Sequence, residues 1–518
     1  MLPDTMRQAV ATRITLTGLL MAWMLIGACQ SNGASGTDAG HRTDSVSGDG
    51  AVVDAALATE TAAADAGRVD ATGSDGAPPL DAKIPTPDAA APQCTKDTDC
   101  GPNQGCLGQV CHDKCLLGLF CVGSTTGTQC VQGVCVECTT DSQCAGNRYE
   151  CSKQSYTCVE RVFDPSFTQI GLFYSLWHCP AANASTVYNI TKILAGQQNW
   201  GPLYTFHYWD KPAAGYYCLS QDTAVVTQHA QLLAAAKVDF VFLDVTNHQY
   251  VGAGSDNTPS MILQPLDKML AVWSTIPGAP RIVAWVPVEK DSADPNKYTV
   301  DAIISRFQKY PQMEFMYQGK PLLLVTENVE HPVSAVRLAS LAATHTVRTM
   351  WGILQSSDPR WSFLEWCQNA PTSGKPCLQR SAVANGAIEQ ISITTAYQGT
   401  YMNVPSATPR HKGLTFRKQF ETLLNNPLAP IATITGWNEW IAQRMPCGQN
   451  PTCPCTTYPN GCFMDQYDAE HSRDIEPAAD AMGDYYYQLL KACIALFRSG
   501  ALCDAAHAGN LCCKGYTP

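Results

Sequence analysis

In the run "ITGWNEWIAQR", Trp437, Asn438, Glu439 and Trp440 set a carboxylate and an amide between two indoles, directly after an apolar stretch. That grouping suits sugar chemistry. A carboxylate can transfer a proton or attack a carbon, and an aromatic face stacks on the C–H face of a pyranose ring. Similar groups follow other apolar runs: Tyr174, Trp177 and His178; Asp244 and Asn247; Glu289; Glu327 and Asn328; Glu365 and Trp366; Tyr397 and Gln398. One acid in such a place is as often a loop cap as a catalyst; the recurrence is what points to a site. We expect Glu439, Glu327 and Asp244 to be the catalytic carboxylates. Trp177, Tyr208, Trp209, Lys211, Asn247, Trp285, Asn438, Trp440 and Asp465 are the expected substrate-binding residues. Within "FHYWDKPAAGYY", Trp209 would stack and Lys211 would donate to sugar hydroxyls, the alternative being a loop packed on the top of the fold.

The elements that must position these groups are legible from Val162 onward. Strand candidates are "FTQIGLFYSLWH", "VDFVFLDVTN", "PRIVAWVPV", "PLLLVTEN", "TVRTMWGIL", "RWSFLEW", "QISITTAYQ" and "IATITGWNEW". Amphipathic segments lie between most of them: "DTAVVTQHAQLLAAAK", "MILQPLDKMLAVW", "YTVDAIISRFQKY", "VSAVRLASLAAT" and "KGLTFRKQFETLL". Eight strands alternating with helices predict an α/β fold, a (β/α)8 TIM-like barrel over 162–518 whose strand C-termini carry the site. A doubly wound open sheet is the competing architecture, though no Gly-rich phosphate loop follows any strand. No clear helix separates the fifth and sixth strands. The stretch "CQNAPTSGKPCLQRSAVANGAIEQ" reads as loop, closed by a Cys367 to Cys377 disulfide.

Other chemistries find less support. There is no G-x-S-x-G elbow and no H-E-x-x-H, and His178, His207 and His248 are scattered rather than held at ligand spacing. A metal site built from them with Asp244 is the alternative; we expect neither a metal nor a cofactor. Cys447, Cys453, Cys455 and Cys462 read as disulfides bracing a loop, with zinc as the competing account.

The N-terminal third has a different character. Residues 1–28 carry Arg7, Arg13 and a short apolar run ending in "LIGAC", which reads as an export signal of the bacterial lipoprotein kind, with Cys29 as the lipid-bearing residue. Gln30 after that cysteine leans toward the outer membrane. Residues 29–93 are Ala, Asp, Gly, Ser and Thr with almost no aromatic residue, so they are expected to form a disordered tether. This segment holds −7 of the chain's net charge of −11, which leaves the remainder near neutral. No basic patch points to nucleic acid. The 25 cysteines divide into Cys29, twelve over 94–158 and twelve from Cys179 to Cys513. The first twelve form three quartets, each opening C-x5-C, as "CTKDTDC" and "CTTDSQC" show. Modules this small need staples, so about two disulfides per quartet are expected over 94–158. These modules serve either as a stiff spacer or as a partner-binding unit.

The stretches "IGLFYSLWH", "VYNITKILAG", "WGPLYTFHYWDKPAAGYY", "HAQLLAAAKVDFVFLDVTN", "TGWNEW" and "FMDQYDAEHSRDIEPAADAMGDYYYQLL" together resemble the bacterial glycoside hydrolase family 71/99-like group over about 167–498. The resemblance implies a (β/α)8 barrel acting on a polysaccharide or glycan. In the endo-acting mannosidases of family 99 the last-strand motif resembles N-E-W-x-E-G, with both glutamates active. Asn438, Glu439 and Trp440 match that motif, but its second glutamate falls on Ala442. The proton donor of a hydrolase must then come from elsewhere on the rim, Glu327 first, then Asp244 or Asp465. In "DAEHSRDIEP", Arg473 is expected to pair with Asp474 or Glu476 and fix the last loop. The competing functions are a carbohydrate-binding barrel without catalysis, motivated by Ala442, and a surface adhesion protein that works through its Cys-rich modules.

Overall fold

The structure is a computed structural model that describes residues 93–116, 121, 124–246, 258–288, 299–326, 334–351, 360–363, 381–396, 409–449, 453–464, 468–479 and 482–514. Cys29, the tether up to Pro92, Cys367 and Cys377 lie outside the described residues. No helix among the described residues is long and apolar enough to cross a membrane.

Among the described residues eight strands run parallel: β1 (Gln169–Tyr174), β2 (Phe240–Asp244), β3 (Arg281–Pro287), β4 (Lys320–Thr326), β5 (Thr346–Trp351), β6 (Trp361–Ser362), β7 (Ala387–Thr394) and β8 (Ile431–Thr435). They pair in the order β6-β5-β4-β3-β2-β1-β8-β7. Their near-continuous apolar character fits strands covered on both faces. On β1, Ile170, Leu172 and Tyr174 join the layer shared with the helices, while Phe173 joins Phe240, Phe242, Val283, Trp285, Leu324 and Trp361 in a second core enclosed by the strands. Gly171 belongs to that enclosed side, because a Cβ there would stand 2.2 Å from the Phe240 ring. The outer layer comes from α1 (Thr223–Ala235), α2 (Gln264–Trp273), α3 (Thr299–Phe307), α4 (Ala335–Thr344), α5 (Leu414–Asn425) and α6 (Tyr485–Arg498).

The result is a nearly closed, mostly parallel, barrel-like sheet. Its seam lies between β6 and β7, where no ladder forms among the described residues and a side chain takes the place of backbone. The Gln390 amide accepts from the Ser362 N–H at 3.1 Å and donates to the Ser362 carbonyl at 2.8 Å and to Thr433 Oγ1 at 2.6 Å. Beside it, Glu389 accepts from the Trp361 indole at 2.9 Å and pairs with Arg348 at 2.6 Å. Gln390→Leu keeps the volume and removes three buried hydrogen bonds. It is expected to cost roughly 3 kcal/mol in a urea-unfolding titration, since each lost bond in a dry site is worth about 1 kcal/mol.

An antiparallel strand, Ser381–Ala384, extends the sheet beyond β7 through a turn at Asn385 and Gly386 with φ of 53° and 79°. This segment lies inside the stretch expected to be loop.

The Cys-rich region forms three hairpins, Gln104–Leu107 with Val110–Asp113, Gln129–Val131 with Val134–Val136, and Tyr149–Cys151 with Cys158–Glu160. Each quartet joins first to third and second to fourth cysteine: 94–106 and 100–111, 115–130 and 121–135, 138–151 and 144–158. The sequence likeness of the first and third quartets has a physical counterpart. Asp99 accepts from the N–H groups of Thr95 and Lys96, as Gln143 does from Thr139 and Thr140. Asp97 and Asp141 then hold the N–H of Cys106 and Cys151. The three modules fold on one another: His112 reaches the Ser155 carbonyl at 3.1 Å, and Gly108 lies so close to Gln154 that no side chain would fit.

The third module docks on the barrel at the turn between α5 and β8. Arg148 donates to the carbonyls of Leu424, at 3.2 Å, and Gly500 and pairs with Glu160, while the Asn147 N–H donates to Asn426 Oδ1 at 3.2 Å.

Candidate functional site

The strand ends of β2 and β8 bring Asp244 and Glu439 to one rim. Asp244 continues the inward register of Phe240 and Phe242, and its Oδ1 accepts from the Thr246 N–H at 3.0 Å and the Thr246 hydroxyl at 2.9 Å. Burial pushes its carboxyl up to about 6, and the nearby charge of Glu439 adds to that shift. The Trp177 indole donates to the Asp244 main-chain oxygen at 2.9 Å.

Glu439 follows β8 and keeps 11 % of its side chain exposed. It is gripped twice by the loop 472–476: Arg473 forms an ion pair with its Oε2, and Asp474 Oδ1 accepts from its backbone N–H. Arg473 is itself buried, which concentrates the field of the pair in a low-dielectric setting. The sequence expectation paired Arg473 with Asp474 or Glu476; the structure sets its ion pair with Glu439, and its charge also acts on Asp474. Asp474 is already occupied by the Trp209 indole at 2.6 Å and Ser472 Oγ at 3.1 Å. Glu476 accepts from the Trp440 indole at 2.5 Å and the Tyr217 hydroxyl at 2.7 Å, and its Oε1 meets His229 Nε2 at 2.9 Å. Burial first, then the Glu439 charge, pushes Asp474 up to about 7. Arg410, fully buried, fixes this loop by donating to the Ser472 carbonyl and hydroxyl and to the Asp474 carbonyl at 2.6 Å, with its guanidinium 4.2 Å over the Tyr486 ring.

The indoles of the motif lie beneath this rim. Trp209 and Trp440 are fully buried and stack on each other at 4.8 Å, so the expectation of a sugar platform passes from them to Trp177, which is partly exposed. Tyr208 is buried and donates to the Tyr217 carbonyl at 3.0 Å. Asn438 binds both the N–H and the carbonyl of Ser175, at 2.8 and 3.1 Å, splicing the end of β8 to that of β1. Trp285 sits in the enclosed core, 4 % exposed, with its indole 3.3 Å from the Met350 carbonyl. Lys211 has an exposed side chain. Glu327, Asn247 and Asp465 lie outside the described residues, as do Glu289 and Glu365.

Two of the three candidate metal histidines are placed. His178 Nε2 donates to the Asn438 carbonyl at 2.7 Å, and burial pushes the ring down to about 4. His207 is also pushed down to about 4 by burial and stacks on Tyr188. His248 lies outside the described residues. Cys447 pairs with Cys455 and Cys453 with Cys462, so the loop after β8 is closed by disulfides. In each N-terminal quartet three sulfurs lie close enough to hold a metal ion, and all of them are in disulfides.

Sequence reasoning missed Arg410, Ser472, Tyr217 and His229 as supports of the site. The signal available for them was the charge density of "DAEHSRDIEP", which marked the loop without assigning its partners.

No family model matches the chain, and no curated protein matches it. Among solved structures it is similar to the GH99 endo-alpha-mannosidase from Bacteroides thetaiotaomicron, in one structure with bis-tris-propane and in another without it. Identities are 15 % and 14 %, and the TM-score is 0.37 in both. Each match covers 65 % of this chain and 99 % of that one.

Proposed function

We propose that the chain hydrolyses glycosidic bonds of a polysaccharide or glycan, with Asp244 as proton donor and Glu439 as its anionic partner. One observation carries the reading: two carboxylates on one rim have unlike surroundings, one paired with an arginine and the other buried and hydrogen-bonded to Thr246. Glu439 is ion-paired with the buried Arg473, while burial, with the Glu439 charge adding to it, favours the protonated form of Asp244. A carboxyl raised by burial beside a second carboxylate is what acid-assisted departure of a sugar oxygen requires. Asp244 would protonate the leaving oxygen, and Glu439 would either attack the anomeric carbon or activate a water. Trp177 supports a sugar ring beside them. Glu327, Asn247 and Asp465 remain candidates for the same rim on sequence grounds.

A second reading, carbohydrate binding without hydrolysis, is favoured by Ala442. The position of the missing glutamate is buried in a strand, paired with His207, and holds no acid.

The architecture we propose is a (β/α)8 barrel over 162–518, preceded by the Cys-rich modules of 94–158, a tether of 29–93 and a lipid on Cys29 that fastens the protein to the outer membrane. The test is reducing-end release from a panel of α-mannans and α-glucans. Release from any of them supports hydrolysis; no release combined with retardation in a polysaccharide gel selects the binding reading.

A further inference from the structure

A small antiparallel sheet begins at Ile441, two residues beyond Glu439, and pairs Gln443 with Phe206 and Ile441 with Tyr208. Phe206 meets Trp177 edge to face, with ring centroids 6.4 Å apart. Trp177 is in turn tied to Asp244 through its indole. Both rings are partly exposed, in contrast to the fully buried Trp209, Trp437 and Trp440. Two residues upstream, Tyr204 is 55 % exposed and has a φ of 62°, a left-handed backbone that side-chain-bearing residues seldom adopt. Two hydrogen bonds hold it there: its N–H donates to the Arg444 carbonyl at 2.7 Å, and its carbonyl accepts from the Gln443 amide at 3.0 Å. An aromatic residue kept in solvent on a constrained backbone, two positions from a ring that meets the Trp177 indole beside Asp244, offers a ligand with repeated C–H faces more than one place to stack.

We propose that Trp177, Phe206 and Tyr204 form an aromatic wall running outward from Asp244 that takes successive residues of a polysaccharide chain. The proposal rests on the glycan reading of the carboxylate rim and extends it: the substrate is a chain of several sugars, held on one side of the reacting bond. A free monosaccharide or a terminal disaccharide would leave Phe206 and Tyr204 unused.

The experiment uses the full-length protein and compares kcat/KM on yeast α-mannan with that on its tetrasaccharide fragment, and likewise on a soluble α-glucan and its tetrasaccharide. Tyr204→Ala and Phe206→Ala are each expected to lower the polymer-to-tetrasaccharide ratio about tenfold, the scale of one lost ring contact. Leu203→Ala, at a neighbouring exposed position, is the control and leaves the ratio at the wild-type value. Thermal unfolding matched to wild type excludes a folding defect. A ratio unchanged in both aromatic variants, with wild-type cleavage intact, overturns the wall and leaves the hydrolase reading standing. If the wild type cleaves nothing, that reading fails while gel retardation still tests the wall: loss of retardation in Tyr204→Ala supports it, and equal retardation overturns it. A wild type that is neither active nor retarded overturns both.

Discussion

Glu439→Gln is expected to lower kcat on any polysaccharide the protein cleaves by about a thousandfold, the range seen when a group acting on the reacting centre is lost. The substitution preserves shape and a hydrogen-bond acceptor, so the loss reads out charge. It also removes the carboxylate partner of Arg473, a cation buried to 1 % exposure. Stability should therefore fall by roughly 1–3 kcal/mol, measured by urea unfolding. The two effects have different signatures, because Arg473→Gln in the same background should restore part of the stability and none of the rate. A Glu439→Gln protein within tenfold of wild-type kcat would remove Glu439 from the chemistry.

Asp244→Asn is expected to cost about 10² to 10⁴ in kcat and to abolish the alkaline limb of the pH profile. In the wild type the donor must carry its proton, so the rate falls as pH rises through about 6, the value to which burial lifts this carboxyl. The same shift sets the sign of its effect on stability. A carboxyl whose folded pKa lies above its unfolded value, about 3.9, contributes stability that is full below pH ~4 and is lost as pH rises through the folded pKa. Asn does not titrate, so the variant should gain on wild type as the pH of a denaturation series is moved from 4 to 8. A flat difference across that range would place the Asp244 carboxyl in an ordinary, solvated setting.

Much of the scaffold was legible because its signal is local. Six of the eight parallel strands fall within the expected apolar runs, β4 starts one residue early, and β7 starts three residues early, inside the stretch expected to be loop; α1 to α5 lie within or one residue beyond the expected amphipathic segments, since burial imposes a period that residue order reveals. The strand Ser381–Ala384 was overlooked although Asn385-Gly386 is a strong two-residue hairpin signal, because the surrounding Pro, Ser and Gly read as loop. The candidate site was legible in its residue types and not in their orientation. Nothing in "WNEW" tells which indole faces a cleft and which supports its floor; that depends on Trp209, more than 200 positions away, stacking on Trp440. Arg473 was noticed, but assigning its partner required knowing that Trp209 and Ser472 occupy Asp474 and that three other side chains contact Glu476.

The contact made by Arg148 has a consequence for traffic across the molecule. It seats the third module where β8 begins, while Glu439 follows the point where β8 ends, and five residues of strand separate the two by about 17 Å. The modules and the carboxylates thus occupy opposite poles. If the proposed function holds, a partner that grips the third module would do so about one strand length away from the two carboxylates, so mooring the chain and engaging a bulky polymer would not compete for the same surface.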